Sequence, residues 1–584
     1  MTTGRTALRF AHQLLDPGSW TSWDTPPRGN PTDGPYADAL ARARERSGGA
    51  DESVLTGEGR VDGHRIALVV GEFGFLAGSV GVAAADRLLQ AVRRATAERL
   101  PLLACPATGG TRMQEGTPAF VGMVPIVAAL AAHKAAGLPY LVHLRHPCTG
   151  GVLASWGSLG QLTTAEPGAL IGFLGPRVYE ALYGQEFPPG VQQAEHLERL
   201  GTIDAVLPTD AVRARVADIL TILAPQPTTM GPRAAAAPAG PASGPVDAPN
   251  ASPAADRPPT ATGPAAETAS PPASSPVAGQ APSVGGPAGL VAAPAEAGDV
   301  WRSVQVTRAG GRPGLADVLG AAEAVVRMSG TQAGERDEAL TVALARFGER
   351  ACVVVGHDRA AAARQGQDVG PGGLRAARRG MRLAAEWGLP LLTVIDTAGA
   401  RLSREAEEGA LAGEIARCLQ ELTTLPVPTL SVLLGQGTGG AALALLPADR
   451  VLATEHAWLT PLPPEGASVI LHRTTDRAAE LARAQRIGAA DLLRDGTVDR
   501  IIPEPPATAA TAATATNADA LVESVVAAVR AELAALPPVL GVHPAQLARR
   551  RGGRGSAFAR PDAAVTSTEQ QADGEGEDDR ARHQ

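Results

Sequence analysis

Apolar and polar positions alternate along the chain with two different periods. Short apolar runs, "RIALVVG" (65–71), "LPLLACP" (100–106) and "PYLVHLR" (139–145), read as buried strands. Between them, "AAADRLLQAVRRATAE" (83–98) and "AFVGMVPIVAALAAHKAAG" (119–137) carry the spacing of helices. The same order returns downstream. "ACVVVG" (351–356), "LPLLTVI" (389–395) and "VPTLSVLLG" (427–435) are strands, and "GLRAARRGMRLAAEWG" (373–388) and "GALAGEIARCLQELTT" (409–424) are helices. Apolar runs alternating with amphipathic helices predict α/β layers on a mostly parallel sheet, built twice.

The second block repeats the first at one gapless offset. Leu100-Pro101-Leu102-Leu103 matches Leu389-Pro390-Leu391-Leu392, 289 residues on. Gly110-Thr111-Arg112-Met113 matches Gly399-Ala400-Arg401-Leu402, Gly150 matches Gly439, and Glu166 matches Glu455. Self-similarity at so long a period means duplicated domains rather than a solenoid.

Composition marks the boundaries. Residues 225–298 are Pro, Ala, Gly, Ser and Thr with few large apolar side chains, too few to offset the entropy of ordering, and read as a disordered linker. A domain over 1–224 and another over 299–537 are expected on either side. "ATAATAATATNA" (507–518) reads as a low-complexity insert and 538–584 as a mostly disordered tail. The arginines of "LARRRGGRG" (547–555) read as a solvated helix end.

With 584 residues and 44% hydrophobic content the chain can fill large cores, and 3% aromatics means that Ala, Leu and Val build them. A net charge of −8 argues against a nucleic-acid platform. No stretch of eighteen residues is free of charges and breakers, so no membrane span is expected; "MTTGRTALRFAHQLL" lacks the pattern of a signal peptide. The cysteines Cys105, Cys148, Cys352 and Cys418 are too scattered for a disulfide framework or a zinc pattern, and buried free thiols in a cytoplasmic protein are expected.

Candidate chemistry lies in the glycine turns. "HPCTGGVLASWG" (146–157) and "LGQGTGGAALAL" (434–445) each place Thr-Gly-Gly between a strand-like and a small-residue, helix-like run. Glycine admits positive φ and lets a ligand approach the backbone, while a helix start leaves N–H groups unpaired. No Lys-Ser/Thr follows either pair, so a Walker phosphate loop does not fit. The apolar sequel suits an uncharged carbonyl that becomes negative during reaction, where each well-placed donor is worth roughly 2.7–4 kcal/mol of barrier. Gly-Gly that merely permits close helix–strand packing is the competing reading, and the duplication weighs against it. Gly109-Gly110 and Gly399 form further turns near the expected cleft.

Arg112 and Arg401 follow those turns, where they either face a ligand or pair with the acidic "QEG" and "EAEEG" nearby. Glu407-Glu408 opens a helix, where acidic residues favour the dipole. Asp396 caps a turn or lines the cleft. The histidines form no metal pair and no triad.

Block one resembles the β subunit of bacterial acetyl-CoA carboxylase carboxyltransferase, through "EFGFLAGSVG", "PATGGTRMQEG", "PCTGGVLASWGSLGQLTTAEPGALIGFLGPRVYE" and "FPPGVQQAEHLERLGTIDAVL". Block two resembles the α subunit, through "LPLLTVIDTAGA", "AEEGALAGEIARCLQELTTLPVPTLSVLLGQGTGGAALAL", "PLPPEGASVILHR" and "DGTVDRIIPEP". The resemblance implies a β–α fusion with two crotonase-like spiral domains. It implies transfer of a carboxyl group from carboxybiotin to acetyl-CoA, giving malonyl-CoA. The biotin ureido anion serves as base, and two oxyanions develop. Gly150-Gly151 would hold the thioester enolate and Gly440-Ala441 the biotin oxygen. Gly109, Gly110, Arg112, Gly399 and Gly439 would line the substrate site.

The implied partners are a separate biotin carboxyl carrier protein and biotin carboxylase, since no biotinylation signal and no ATP-grasp loop occurs. In the family the blocks pair across chains, so a homo-oligomer is expected. Three departures stand out. No cysteine precedes Cys105, so the zinc ribbon of the β subunit does not carry over and no metal is expected. The Lys-Gly-Arg after Gly-His is missing, with only Arg359 in "GHDRAAAARQG", and Gln436 replaces a glutamate. A biotin-independent malonyl-thioester decarboxylase and a non-catalytic scaffold remain as alternatives. An enoyl-CoA hydratase would need a glutamate pair, for which Glu115 is poorly placed.

Overall fold

Two twisted sheets carry the chain, one from each block. The computed structural model describes residues 6–223, 300–506, 515–537, 547 and 550–553. The linker expected over 225–298, the start of the 507–518 insert and most of the tail lie outside the described residues.

The first sheet runs, in spatial order, Thr21–Ser22, Val54–Val61, His64–Gly71, Leu102–Cys105, Tyr140–Leu144, Leu162–Ala165 and Ala205–Val206. The second runs Ala324–Met328, Leu340–Phe347, Arg350–His357, Leu391–Thr397, Thr429–Thr438, Arg450–Thr454 and Arg500–Ile502, with Trp458–Thr460 also beside Thr429–Thr438. Each begins with antiparallel pairs and continues parallel. The turn joining Val54–Val61 to His64–Gly71 is Asp62-Gly63, both with positive φ, as a two-residue hairpin requires.

The repeat read from the sequence is a repeat of bonds. Leu102 N–H donates to Pro139 O at 2.9 Å, and Leu391 N–H to Pro428 O at 2.9 Å. Val80 bridges Thr111, and Val369 bridges Ala400. Arg112 N–H donates to Val80 O at 2.9 Å and Arg401 N–H to Val369 O at 2.8 Å. All five residue pairs keep the offset of 289.

Alternation along the strands sorts side chains between layers. Ile66, Leu68, Val70 and Leu103 face the helices Thr6–Leu14 and Thr209–Leu223. Cys352, Val354, Leu392 and Val432 face the helix Ala515–Ala535. The opposite faces, with Val69, Leu102 and Val142 from one sheet and Val353, Leu391 and Leu433 from the other, meet in one continuous core with the helices Val82–Ala97, Met123–Ala135, Pro371–Trp387 and Leu411–Thr424. Each such side chain contributes roughly 1.5–3 kcal/mol by leaving water, so this core binds the two halves as well as each sheet.

Four sequence expectations change. The helix expected over 119–137 is two, Thr117–Val121 and Met123–Ala135, meeting at Gly122; Pro125 has no N–H to offer Val121 O. This stretch, 117–135, is long and apolar enough to span a membrane but is 72% buried within the fold, as a core helix is. The helix-like run after the first Thr-Gly-Gly forms no α-helix but two short 3-10 turns, Gly150–Val152 and Trp156–Ser158. The last residues of the low-complexity insert, 515–518, open the helix Ala515–Ala535. Arg551 is no solvated helix end. It is fully buried, paired with Asp449 at 2.8 Å, and donates to Leu422 O, Leu425 O and Val427 O. Three carbonyls at the end of the Leu411–Thr424 helix and the loop after it need donors, and this arginine supplies them.

Candidate functional site

The first Thr-Gly-Gly ends a two-residue strand, Cys148–Thr149, that pairs with Ile171–Gly172. Gly150 takes a left-handed φ of 71°, and its N–H donates to Phe173 O at 3.1 Å. That bond corrects one expectation: the Gly150 N–H is taken up within the turn, and Gly151, which follows it, also lies on the cavity wall. Gly110 supports the turn from behind. A Cβ there would stand 3.1 Å from Gly150 Cα and 3.2 Å from Gly151 N. Gly109 N–H donates to Ala77 O at 2.8 Å. Leu76 and Ala77 both hold positive φ, a strained conformation for side-chain-bearing residues, and both face the same cleft.

The second Thr-Gly-Gly leaves the long strand Thr429–Thr438 directly. Gly439 takes a φ of 65°, close to that of its counterpart Gly150, and opens the helix Gly439–Leu443. Gly440 and Ala441 stand in its first turn, where N–H groups have no acceptor within the helix. The resemblance pairs Ala441 with Gly440, but Ala441 is wholly buried in the core and does not line the cavity that Gly440 lines.

Both turns line one cavity of about 570 Å³, with Gly109, Gly150, Gly151, Gly399, Gly439 and Gly440 on its walls. One chain therefore brings together what the resemblance assigns to pairs of chains, because the halves share a core. Among the described residues Asp368 is the one ionisable side chain on the cavity's walls; burial raises its pKa against the opposing pull of Arg401. Among the described residues no arginine, lysine or histidine lines it. Those walls offer main-chain N–H groups and apolar surface, with the uncharged polar side chains of Ser79, Thr111, Gln114, Thr149 and Thr438 among them. That combination stabilises a charge that develops on a carbonyl oxygen and gives little hold to a permanent anion.

Arg112 is not part of this site. It is fully buried in an ion pair with the equally buried Glu52, donates to Ser79 O at 2.7 Å and lies 3.3 Å from Glu115. Its substrate-binding role falls because the side chain is already saturated with partners. Arg401, only partly buried, is also paired in the second half, reaching Asp337 at 3.3 Å and Asp368 O at 3.2 Å. Glu115 accepts from Tyr36 and Val82 and also stays off the cavity. Asp396 accepts from Arg359 at 2.9 Å and from Gln436 N–H at 3.0 Å. It lines a smaller cavity of about 270 Å³ that meets the first at Asp368 and Ala398. Among the described residues no group of three or more His, Cys, Asp or Glu is placed to hold a metal ion.

Three contributors escaped sequence reasoning. Asp368 lies in the unremarkable "QGQDVG". Phe173 belongs to the first half, but its ring reaches the second turn: a Cβ on Gly440 would stand 3.2 Å from Phe173 Cε2. Glu407, read as a helix-start residue, crosses to the other half and accepts from Phe173 N–H at 2.7 Å and Gln192 Nε2 at 2.7 Å.

Two family descriptions match the chain. A carboxyl transferase domain covers residues 11–265, and an acetyl co-enzyme A carboxylase carboxyltransferase-like domain covers 296–551. A probable biotin-dependent acyl-coenzyme A carboxylase beta3 subunit of Mycobacterium tuberculosis is 53% identical over 505 residues, 86% of this chain and 90% of that one. The acetyl-coenzyme A carboxylase carboxyl transferase subunits beta/alpha of Salinispora arenicola are 37% identical over 553 residues, 93% of this chain and 88% of that one. A crystal structure of transcarboxylase 12S aligns with 92% of this chain and 91% of its own at 18% identity, with a TM-score of 0.32.

Proposed function

The chain belongs to the carboxyltransferases of biotin-dependent acyl-CoA carboxylases, with β-type and α-type halves in one chain, and from that we propose that it moves a carboxyl group from carboxybiotin, held on a separate carrier protein, to acetyl-CoA, giving malonyl-CoA. The observation that carries this reading is the meeting of both glycine turns on one cavity. Gly151 N–H holds the thioester oxygen as the enolate forms. Gly440 N–H holds the ureido oxygen of biotin. Biotin supplies the carboxyl group and the base, which agrees with walls that carry no histidine, lysine or glutamate among the described residues. A biotin carboxylase recharges the carrier, and the enzyme works as a cytoplasmic homo-oligomer.

A second reading concerns the acyl group. Val178, Leu402, Leu462, Ile470 and Leu471 give the cavity an apolar wall, which favours acyl chains longer than acetyl. The test compares malonyl-CoA with methylmalonyl-CoA as donors for carboxylation of free biocytin by the purified chain. Faster turnover of malonyl-CoA supports the acetyl assignment, and faster turnover of methylmalonyl-CoA supports the longer one. Decarboxylation of malonyl-CoA at full rate without biotin, and no biocytin product, would favour a decarboxylase. Inactivity in both assays would favour a scaffold.

A further inference from the structure

Phe173 stands between the two turns. Its carbonyl accepts the Gly150 N–H at 3.1 Å, which fixes the left-handed glycine immediately before Gly151. Its ring packs against Gly440 in the other half. Neither contact would have a fixed geometry if the main chain at 173–174 were free to shift. That main chain is held by a side chain from the second half. Glu407 Oε1 accepts from Phe173 N–H at 2.7 Å. Gln192 Nε2 donates both to Glu407 Oε1 at 2.7 Å and to Leu174 O at 2.8 Å, closing a ring of bonds around the segment.

Glu407 is itself well anchored. It lies in the helix Arg404–Glu408, whose first turn is capped by Ser403 accepting from Ala406 N–H at 3.2 Å. The neighbouring Glu408 meets His196 of the first half at 2.9 Å. Glu407 is 9% exposed and does not line the cavity. A carboxylate so placed has no direct access to substrate, and its hydrogen bonds run toward the Gly150 turn.

We infer that Glu407 is a positioning residue: from the α-type half it fixes, through the Phe173 main chain, the oxyanion-binding turn of the β-type half. The first turn then takes its working shape only when the second half is docked. Thioester activation is thereby tied to the presence of the carboxyl-donor half-site. This inference rests on the assignment of Gly151 as the thioester donor. A displacement of the order of 1 Å in such a donor costs roughly a hundredfold in rate.

The test uses the full chain as wild type, Glu407→Ala, Glu407→Asp and Glu407→Gln. Two rates are read: malonyl-CoA-dependent carboxylation of biocytin, and the slow decarboxylation of malonyl-CoA without biotin, which needs the thioester turn alone. In Glu407→Ala, kcat should fall about 10- to 100-fold in both assays, while KM for the thioester stays within about threefold. Glu407→Gln keeps an acceptor for Phe173 N–H and should restore kcat to within about threefold of wild type. Glu407→Asp withdraws the acceptor by one methylene and should fall between the two. A folded Glu407→Ala protein with wild-type kcat overturns the inference, as does Glu407→Gln no better than Glu407→Ala. If Glu407→Ala does not fold, the Asp and Gln variants decide: Asp equal to wild type overturns it, and Asp slower than Gln supports it. An inactive wild type, by contrast, would count against the proposed reaction.

Discussion

The ring of Phe173, from the first half, closes against Gly440, from the second: a Cβ added at Gly440 would stand 3.2 Å from Phe173 Cε2 and 2.8 Å from Ile415 Cδ1. A branched side chain there fills the space in front of the second turn. Gly440→Val should abolish carboxylation of biocytin but leave the biotin-free decarboxylation of malonyl-CoA within about tenfold of wild type, since only one oxyanion is lost. Gly151→Val, whose Cβ would overlap Thr111 Oγ1, should abolish both. Steady-state assays on the two variants check the division of labour; identical losses in both assays would contradict it.

Asp368 tests the absence of a side-chain base. Among the described wall residues it alone carries a carboxylate, imidazole or amine, and a general base contributes roughly 10²- to 10⁴-fold. Asp368→Asn should keep carboxylation of biocytin within about tenfold of wild type. A loss in the hundredfold range would make Asp368 the base.

Arg112 and Glu52 form a fully buried pair. Removing one partner of such a pair strands the other charge, at about 3–5 kcal/mol. Arg112→Met should therefore lower stability by that amount in chemical denaturation, and adding Glu52→Gln should recover part of it. For the folded fraction, KM for the thioester should not change. A large KM effect with unchanged stability would return Arg112 to the substrate site.

Glu407 makes stability depend on pH. Burial pushes its carboxyl up to about 6, against the opposing pull of hydrogen bonds from Gln192, Phe173 and Leu174. A raised value means that the folded state holds the proton more tightly. The benefit is complete below the ordinary glutamate range and is lost as pH rises through about 6. Glutamine does not ionise. Wild type should therefore lose roughly 2 kcal/mol relative to Glu407→Gln between pH 4 and pH 8. Thermal unfolding of both proteins across that range reads the effect, and parallel curves would contradict it.

Strands, helices and their duplication were legible because each rests on local periodicity. Leu-Pro-Leu-Leu marked the strand starts in both halves, and the Thr-Gly-Gly pairs marked the turns. What escaped depends on partners distant in sequence. Nothing near Arg112 announces Glu52, sixty residues upstream. Nothing near Arg551 announces Asp449 or the carbonyls it caps. Glu407 carries an ordinary helix-start signal, and its bond to Phe173 spans 234 positions. A sequence pattern fixes which face of an element is apolar; which polar side chain crosses between halves follows only from how the faces pack.

The account centres on two turns of one chain sharing one cavity. Its most direct test is complementation: Gly151→Val and Gly440→Val chains are co-expressed with different tags, mixed assemblies are isolated, and carboxylation of biocytin is measured. If each cavity is built within one chain, every site carries one damaged turn and the mixture stays inactive. Recovered activity in the mixed assemblies, absent from either variant alone, would show that the turns meet across chains and would contradict the account.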